Sequence, residues 1–273
     1  MQTQLICSDI DGTLLNKERE LSERTKSVIK ELSHIPFILI SSRMPQAMEH
    51  LQDELDISHL PLICYNGGYM VQGEQVLQST EINIETSKSV AEFCLHSKVH
   101  CSLYHGREWY VEEMDYWAKR ESHNTKVDPK LKSVRKTLET WEDQGKGAHK
   151  IMCMGEPKEL DELVDFINNY YKEEIIGYRS KPTYLEISPR QISKKTALET
   201  LMSLEYPEIN LEQVMAFGDN YNDIDMLRSV GIGVAVENGI AEAREAASFQ
   251  TTCNIDDGVA VFMEKNLVLS EAI

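Results

Sequence analysis

The chain of 273 residues carries 45 acidic and 28 basic side chains, a formal net charge of −17. That balance excludes non-specific attachment to nucleic acid or to an anionic membrane, both of which need a basic surface. A small phosphorylated ligand stays open, because a few local cations and a metal hold phosphate even in an acidic protein. The length allows two domains and a sizeable core, and no apolar run approaches the roughly 20 residues of a membrane span. The N-terminus enters directly into a strand-like run, so no signal peptide is expected. The six cysteines, Cys7, Cys64, Cys94, Cys101, Cys153 and Cys253, include no C-x-x-C pair. Neither a disulfide framework nor a zinc site is expected, and a reducing cytoplasm fits.

The first apolar run, from Gln4, ends in Asp9-Ile10-Asp11-Gly12-Thr13. On a strand, residues i and i+2 project to one side. Asp9 and Asp11 are therefore aimed together from the carboxyl end of a buried strand, the edge at which open α/β sheets bind ligands. Two carboxylates that close need a cation or a shared proton; an acidic turn formed by Asp11-Gly12 is the other reading. A helix is expected over 22–32 with Ser22 as N-cap, then a strand over 36–40 running into Ser41-Ser42-Arg43. A helix near 45–55 has Pro45 in its first turn, and a strand over 62–65 ends in Asn66-Gly67, a tight-turn pair. Such alternation indicates a parallel sheet with helices on its faces.

The middle reads differently. A helix is expected over 86–97, short strands over 101–104, 108–112 and 149–154, a helix over 157–171, and strand-like runs over 175–180 and 183–187. This is the pattern of an α+β insertion with an antiparallel sheet. His105, Trp109 and Tyr110, at strand-like spacing, read as core packing before a substrate pocket, and the polar stretch 113–147 shows no legible pattern. Beyond Lys194 the alternation resumes, with a helix, a strand over 214–217, a helical segment over 224–230, a strand over 231–236 and a helix over 240–247. Gly218-Asp219-Asn220-Tyr221-Asn222-Asp223 makes a second acidic strand end, more than 200 residues from the first. Alone it reads as a polar turn with Asp219 or Asn222 capping the next helix. With the first cluster it points to one divalent cation held between the two, and oxygen ligands of this kind suit Mg²⁺.

The D-x-D-G-T stretch at Asp9 to Thr13 and the G-D-x-x-N-D stretch at Gly218 to Asp223 resemble the signatures of the haloacid dehalogenase superfamily. Between them, Phe37 to Arg43 resembles that family's apolar strand ending in Ser/Thr. Pro61 to Gly68 resembles the N-G-(A/G) strand end of its Cof-type branch, and Leu185 to Leu198 its strand, loop and lysine. The chain departs from the pattern at Ser42, where glycine is usual, and at Lys195, where glycine often follows the lysine.

The resemblance implies an α/β, Rossmann-like three-layer core made of residues 1–82 and 186–273, with a large C2-type α+β cap over 83–185 that selects the substrate. It implies a Mg²⁺-dependent phosphatase of small phosphorylated metabolites, such as sugar phosphates. Asp9 would be the nucleophile, forming an aspartyl-phosphate. Asp11 would be general acid and then general base. Asp9 and Asp219 would hold the metal by side-chain oxygens, Asp11 by its backbone carbonyl, and Asp223 would hold a metal-bound water or orient the lysine. Lys194 would neutralise phosphate and nucleophile charge, while Lys195 would be an ordinary surface lysine. Ile10, Gly12, Ser41, Ser42, Arg43, Asn66, Lys194 and Asn222 make up the phosphate- and substrate-binding set. Each has a plainer reading: Ser41 as a cap or turn, Arg43 in a surface ion pair, Asn66 in a tight turn, Asn222 as a helix cap. A phosphomutase or other phosphotransferase of the same superfamily and a catalytically silent phosphometabolite-binding protein are the alternatives. Retention of Asp9, Asp11, Lys194 and Asp219 speaks against the silent binder. A monomer or small homo-oligomer is expected.

Overall fold

The computed structural model describes residues 3–268. They divide into two compact units, one of residues up to 42, 48–77 and from 193 on, the other of residues 43–47 and 78–192. The division falls at 77/78 and 192/193 rather than at the expected 82/83 and 185/186.

The chain opens with β1 (Leu5–Ser8), α1 (Glu23–Glu31), β2 (Phe37–Ile40), α2 (Gln46–Leu55), β3 (Leu62–Cys64), β4 (Tyr69–Gln72) and β5 (Gln75–Ser79). The second unit supplies α3 (Ile84–Ser97), β6 (His100–His105), β7 (Glu108–Val111), α4 (Tyr116–Thr125), β8 (Lys130–Leu131) and α5 (Val134–Asp143). It continues with β9 (Lys150–Met154), α6 (Pro157–Tyr170), β10 (Ile175–Lys181) and β11 (Tyr184–Pro189). The first unit resumes with α7 (Lys194–Glu205), β12 (Val214–Gly218), α8 (Ile224–Ser229), β13 (Ile232–Val236), α9 (Ala241–Ala246), β14 (Phe249–Thr251) and α10 (Gly258–Met263).

The sheet of the first unit has the order β14-β13-β12-β1-β2-β3-β4-β5. β1 lies at its centre, parallel to β12 and β2, with Ser8 opposite both Phe217 and Leu39. Leu5, Ile6 and Cys7 are wholly buried, the near-continuous apolar run that a parallel strand covered on both faces requires. Ser22 caps α1 by accepting from the Thr25 amide, as expected. The antiparallel extension by β4 and β5 was not expected. Gly73, with φ of 56°, lies between these two strands, and the largely exposed β5 has polar residues at both ends and too little apolar patterning to announce a strand.

The second unit is built on a sheet of order β10-β11-β9-β6-β7-β8. Its pairs are antiparallel except β7 with β8. Its core joins Val90, Leu138, Trp141, Ile151, Leu163 and Leu185. The stretch 113–147, which carries no pattern by eye, forms α4, β8 and α5. In α5, Val134, Thr137, Leu138 and Trp141 are buried, a single stripe at helical spacing that the surrounding charges obscure. His105 and Tyr110 pack their rings against Trp141, and Trp109 stacks on Tyr104.

Candidate active site

Parallel strands ending side by side deliver the motif residues of the first unit to one edge. The Asp9 amide donates to Phe217 O at 3.0 Å, the Ser41 amide to Ile63 O at 3.0 Å, and the Asn66 amide to Ser41 O at 2.8 Å. Asp9 follows β1, Asp219 follows β12, Ser41 follows β2 and Asn66 follows β3. Carboxylate oxygens of Asp9, Asp219 and Asp223 lie within 4.8 Å of one another.

Lys194 is the first residue of α7. Ser193 caps that helix, with a reciprocal capping box to Thr196. The cap aims the lysine inward, where it is wholly buried. Its Nζ donates to Asp9 Oδ1 and, at 2.6 Å, to Asp223 Oδ1. Asp223 Oδ2 accepts the amides of Asp219 (3.0 Å) and Asn220 (2.9 Å), so both oxygens of Asp223 are engaged. A Cβ on Gly218 would fall 2.5 Å from Asp223 Cβ, which is why only glycine ends β12. Lys195 points away and meets Glu199 at 3.7 Å on the surface.

Gly12 has φ of 86°, and a Cβ there would lie 2.5 Å from Asp219 Oδ2. The glycine therefore serves both a left-handed backbone and the approach of a carboxylate. Thr13 Oγ1 donates to Asp219 Oδ1 at 3.0 Å, and Asn238 Nδ2 donates to Gly12 O at 2.7 Å. The Asp11 side chain stays outside the three-carboxylate group and pairs with Arg19. Ile10 is buried, its carbonyl accepting the Leu14 and Leu15 amides. Asn222 Nδ2 donates to Asn66 Oδ1 at 3.1 Å, joining the ends of β12 and β3. Ser41 is buried and Ser42 half-buried. Arg43 is buried rather than placed in a surface ion pair, and its Nη1 donates to Ala47 O at 2.9 Å.

Burial raises the Asp9 carboxyl well above the usual range; Asp223 and Asp219 push it further, against Lys194. Burial and then Asp223 raise Asp219 to about 6, with Lys194 and Thr13 opposing. Burial alone would lower Lys194, but Asp223 and Asp9 override it and hold the ammonium above its ordinary value. Burial pushes the neighbouring Cys7 thiol up to about 12, leaving it inert as a nucleophile. Three carboxylates thus face one ammonium, and two of them resist ionisation. A divalent cation would supply the missing positive charge, and an all-oxygen donor set fits a hard one. A second group, Glu81, His105 and His149 in the second unit, also has ligand atoms within 4.8 Å. Three of its four ring nitrogens have protein partners: His149 Nδ1 accepts the Gly106 amide at 2.9 Å, so Nε2 carries the proton toward Ser79 Oγ. His105 Nδ1 donates to Gly147 O.

Sequence reasoning missed Thr13, Asn238 and Arg19 as neighbours of the site. A polar strand end after β13 was a signal for Asn238; Arg19 lies in a run of charged residues with nothing to single it out.

A parallel sheet whose central edge gathers three carboxylates around one buried lysine places the chain among α/β proteins with an acidic site suited to a divalent cation. A sequence model of the haloacid dehalogenase-like hydrolase family matches residues 6–263, so the chain belongs to that family, in its Cof-type branch, and is one of its phosphoric monoester hydrolases. A crystal structure of a haloacid dehalogenase-like hydrolase from Bacteroides thetaiotaomicron is similar at TM-score 0.88 and 26% identity, covering 97% of this chain and 99% of that one. The X-ray crystal structure of a protein from Thermotoga maritima is similar at TM-score 0.85 and 29% identity, covering 97% of each chain. A 5-amino-6-(5-phospho-D-ribitylamino)uracil phosphatase of Bacillus subtilis is 26% identical over 286 residues, 96% of this chain and 97% of that protein.

Proposed function

We propose that the chain is a Mg²⁺-dependent phosphatase of small phosphorylated metabolites that acts through an aspartyl-phosphate on Asp9. The observation that carries this reading is the wholly buried Lys194, bonded to both Asp9 and Asp223 beside Asp219. A structural lysine has no need of that position, whereas a carboxylate attacking a phosphate dianion requires cancelled charge.

In this reading Asp9 attacks phosphorus and the phosphoryl–oxygen bond of the substrate breaks. Asp11 gives its proton to the leaving oxygen and then takes one from the water that hydrolyses the aspartyl-phosphate. Lys194 holds the nucleophile in place and neutralises charge on the phosphoryl group, and Asp223 fixes Lys194. Asp9 and Asp219 side chains and the Asp11 carbonyl hold the cation, which when bound polarises the phosphoryl oxygens. Ser41, Asn66 and Asn222 bind phosphate or substrate. The second unit chooses the substrate as a cap. Five buried cysteines without bridges support a cytoplasmic setting.

The test is phosphate release from p-nitrophenyl phosphate by purified protein, with and without EDTA, beside Asp9→Asn. Activity in Asp9→Asn equal to the parent's would overturn the nucleophile. A panel of sugar phosphates and 5-amino-6-(5-phospho-D-ribitylamino)uracil, ranked by kcat/KM, then identifies the substrate class.

A further inference from the structure

We propose that Arg19 is a positioning residue that holds the Asp11 carboxyl in place for its acid–base role, an inference that rests on the reading of Asp11 above. Arg19 sits in the tight loop that follows the aspartate-bearing strand end. There the Arg19 amide donates to Asn16 O and the Asn16 amide to Glu20 O, both at 3.0 Å, and the Glu20 amide donates to Asn16 Oδ1 at 2.9 Å.

The arginine is an awkward occupant of this loop. Its φ is 62°, a left-handed conformation that glycine or asparagine adopts far more readily. Its Nε is buried without a protein partner, and a buried unpaired N–H costs stability. The return is small. Nη2 meets Asp11 Oδ1 at 2.5 Å, but the two side chains are 42% and 39% exposed, and an ion pair that wet contributes little. Local structure would be as well or better served by glycine. A backbone outlier with an unpartnered donor, beside the carboxyl that must protonate a leaving group, points to function. A planar guanidinium fixes the orientation of the carboxylate it meets, as a point charge does not. With glycine there, the Asp11 carboxyl loses this orienting contact, and proton delivery to the leaving oxygen falls.

The experiment compares Arg19→Gly, Arg19→Lys, Asp11→Asn and the double variant Arg19→Gly/Asp11→Asn. Each is assayed with p-nitrophenyl phosphate, whose leaving group needs no proton, and with a sugar phosphate, whose leaving alkoxide does. Arg19→Gly should unfold at or above the parent's temperature. It should lose at least about 10-fold in kcat toward the sugar phosphate, part of the ~10²–10⁴ that a general acid supplies, and markedly less toward p-nitrophenyl phosphate. Arg19→Lys should recover part of the loss, and Arg19→Gly should cost nothing further in the Asp11→Asn background. Equal losses for both leaving groups, or an undiminished loss in that background, overturn the inference. If Asp11→Asn is crippled toward the sugar phosphate while Arg19→Gly matches the parent, Arg19 alone is removed and the acid role stands. If Asp11→Asn shows no dependence on the leaving group, the acid role falls and the inference with it.

Discussion

Replacing Lys194 by methionine, which keeps the length of the side chain and removes its charge, should damage stability and turnover together. The ammonium is fully buried between Asp9 and Asp223. Removing one partner of a buried ion pair typically costs about 3–5 kcal/mol, because the remaining charge is left uncompensated. Here two carboxylates are left, so the upper part of that range applies in metal-free protein. At about 2–4 °C per kcal/mol for a domain of this size, the unfolding temperature in EDTA should fall by roughly 10 °C or more. The loss should shrink as the pH falls. Asp9 is already held above the usual range by burial and its acidic neighbours, and protonating it removes the uncompensated charge. Excess Mg²⁺ should restore part of the stability but not the turnover, which should stay at least ~10²-fold down, the usual cost of one preorganised charge donor. Lys195→Ala is the control, since its surface contact with Glu199 at 3.7 Å contributes about 0.5 kcal/mol or less. Thermal unfolding with and without EDTA, and phosphate release, measure both effects. Comparable losses from the two substitutions, or a Lys194→Met protein as stable as the parent in EDTA at pH 7, would refute the reasoning.

Exhaustive chelation should abolish phosphate release and lower the unfolding temperature at pH 7, because Asp9, Asp219 and Asp223 then face only Lys194; Mg²⁺ should reverse both, and calcium, with its larger and looser shell, should inhibit. Activity unchanged after chelation would remove the metal assignment. Gly12→Ala should weaken Mg²⁺ activation at least about 10-fold, since its methyl would sit 2.5 Å from Asp219 Oδ2 at a φ of 86°; a Mg²⁺ titration of activity reads this, and a parental midpoint would show that Asp219 has no such role. His149 is held neutral in the folded protein, its value lowered to about 3, first by burial and then by His105. Its contribution to stability is therefore complete above the unfolded value near 6.5 and is lost as the pH falls toward 3, by at most ~1.4 kcal/mol per pH unit. His149→Gln should flatten denaturant-measured stability between pH 6 and 4, and an unchanged slope would show that other groups govern it.

Much of the site was legible because its signals are local. Apolar runs ending in Asp9, Ser41, Asn66 and Asp219 announce parallel strands with polar carboxyl ends, and parallel strands of one sheet end on one side. Ser22 and Ser193 announce helix starts through caps confined to three or four residues. The five motifs in order also marked the family. What stayed illegible depends on partners far apart in the chain. Between 113 and 147, α4 and α5 bury only a thin stripe, so their charges hide the period. The hairpin of β4 and β5 extends the sheet at its edge, where tertiary pairing outweighs a weak local preference.

The chemical character of the site divides the same way. Residue types and spacing alone pointed to two acidic strand ends around one cation, since strand geometry projects Asp9 and Asp11 to one side; Lys194 joined them only through the resemblance to the family's motifs. Only the tertiary structure decided that Lys194 is wholly buried, that Asp223 engages both its oxygens, and that Asp11 turns to Arg19 instead of joining Asp9 and Asp219. The reason is physical. Period and capping are carried by neighbours within a turn or two, whereas burial and charge pairing arise only where chain positions 185 and 29 residues apart, Asp9 and Asp223, converge on one ammonium.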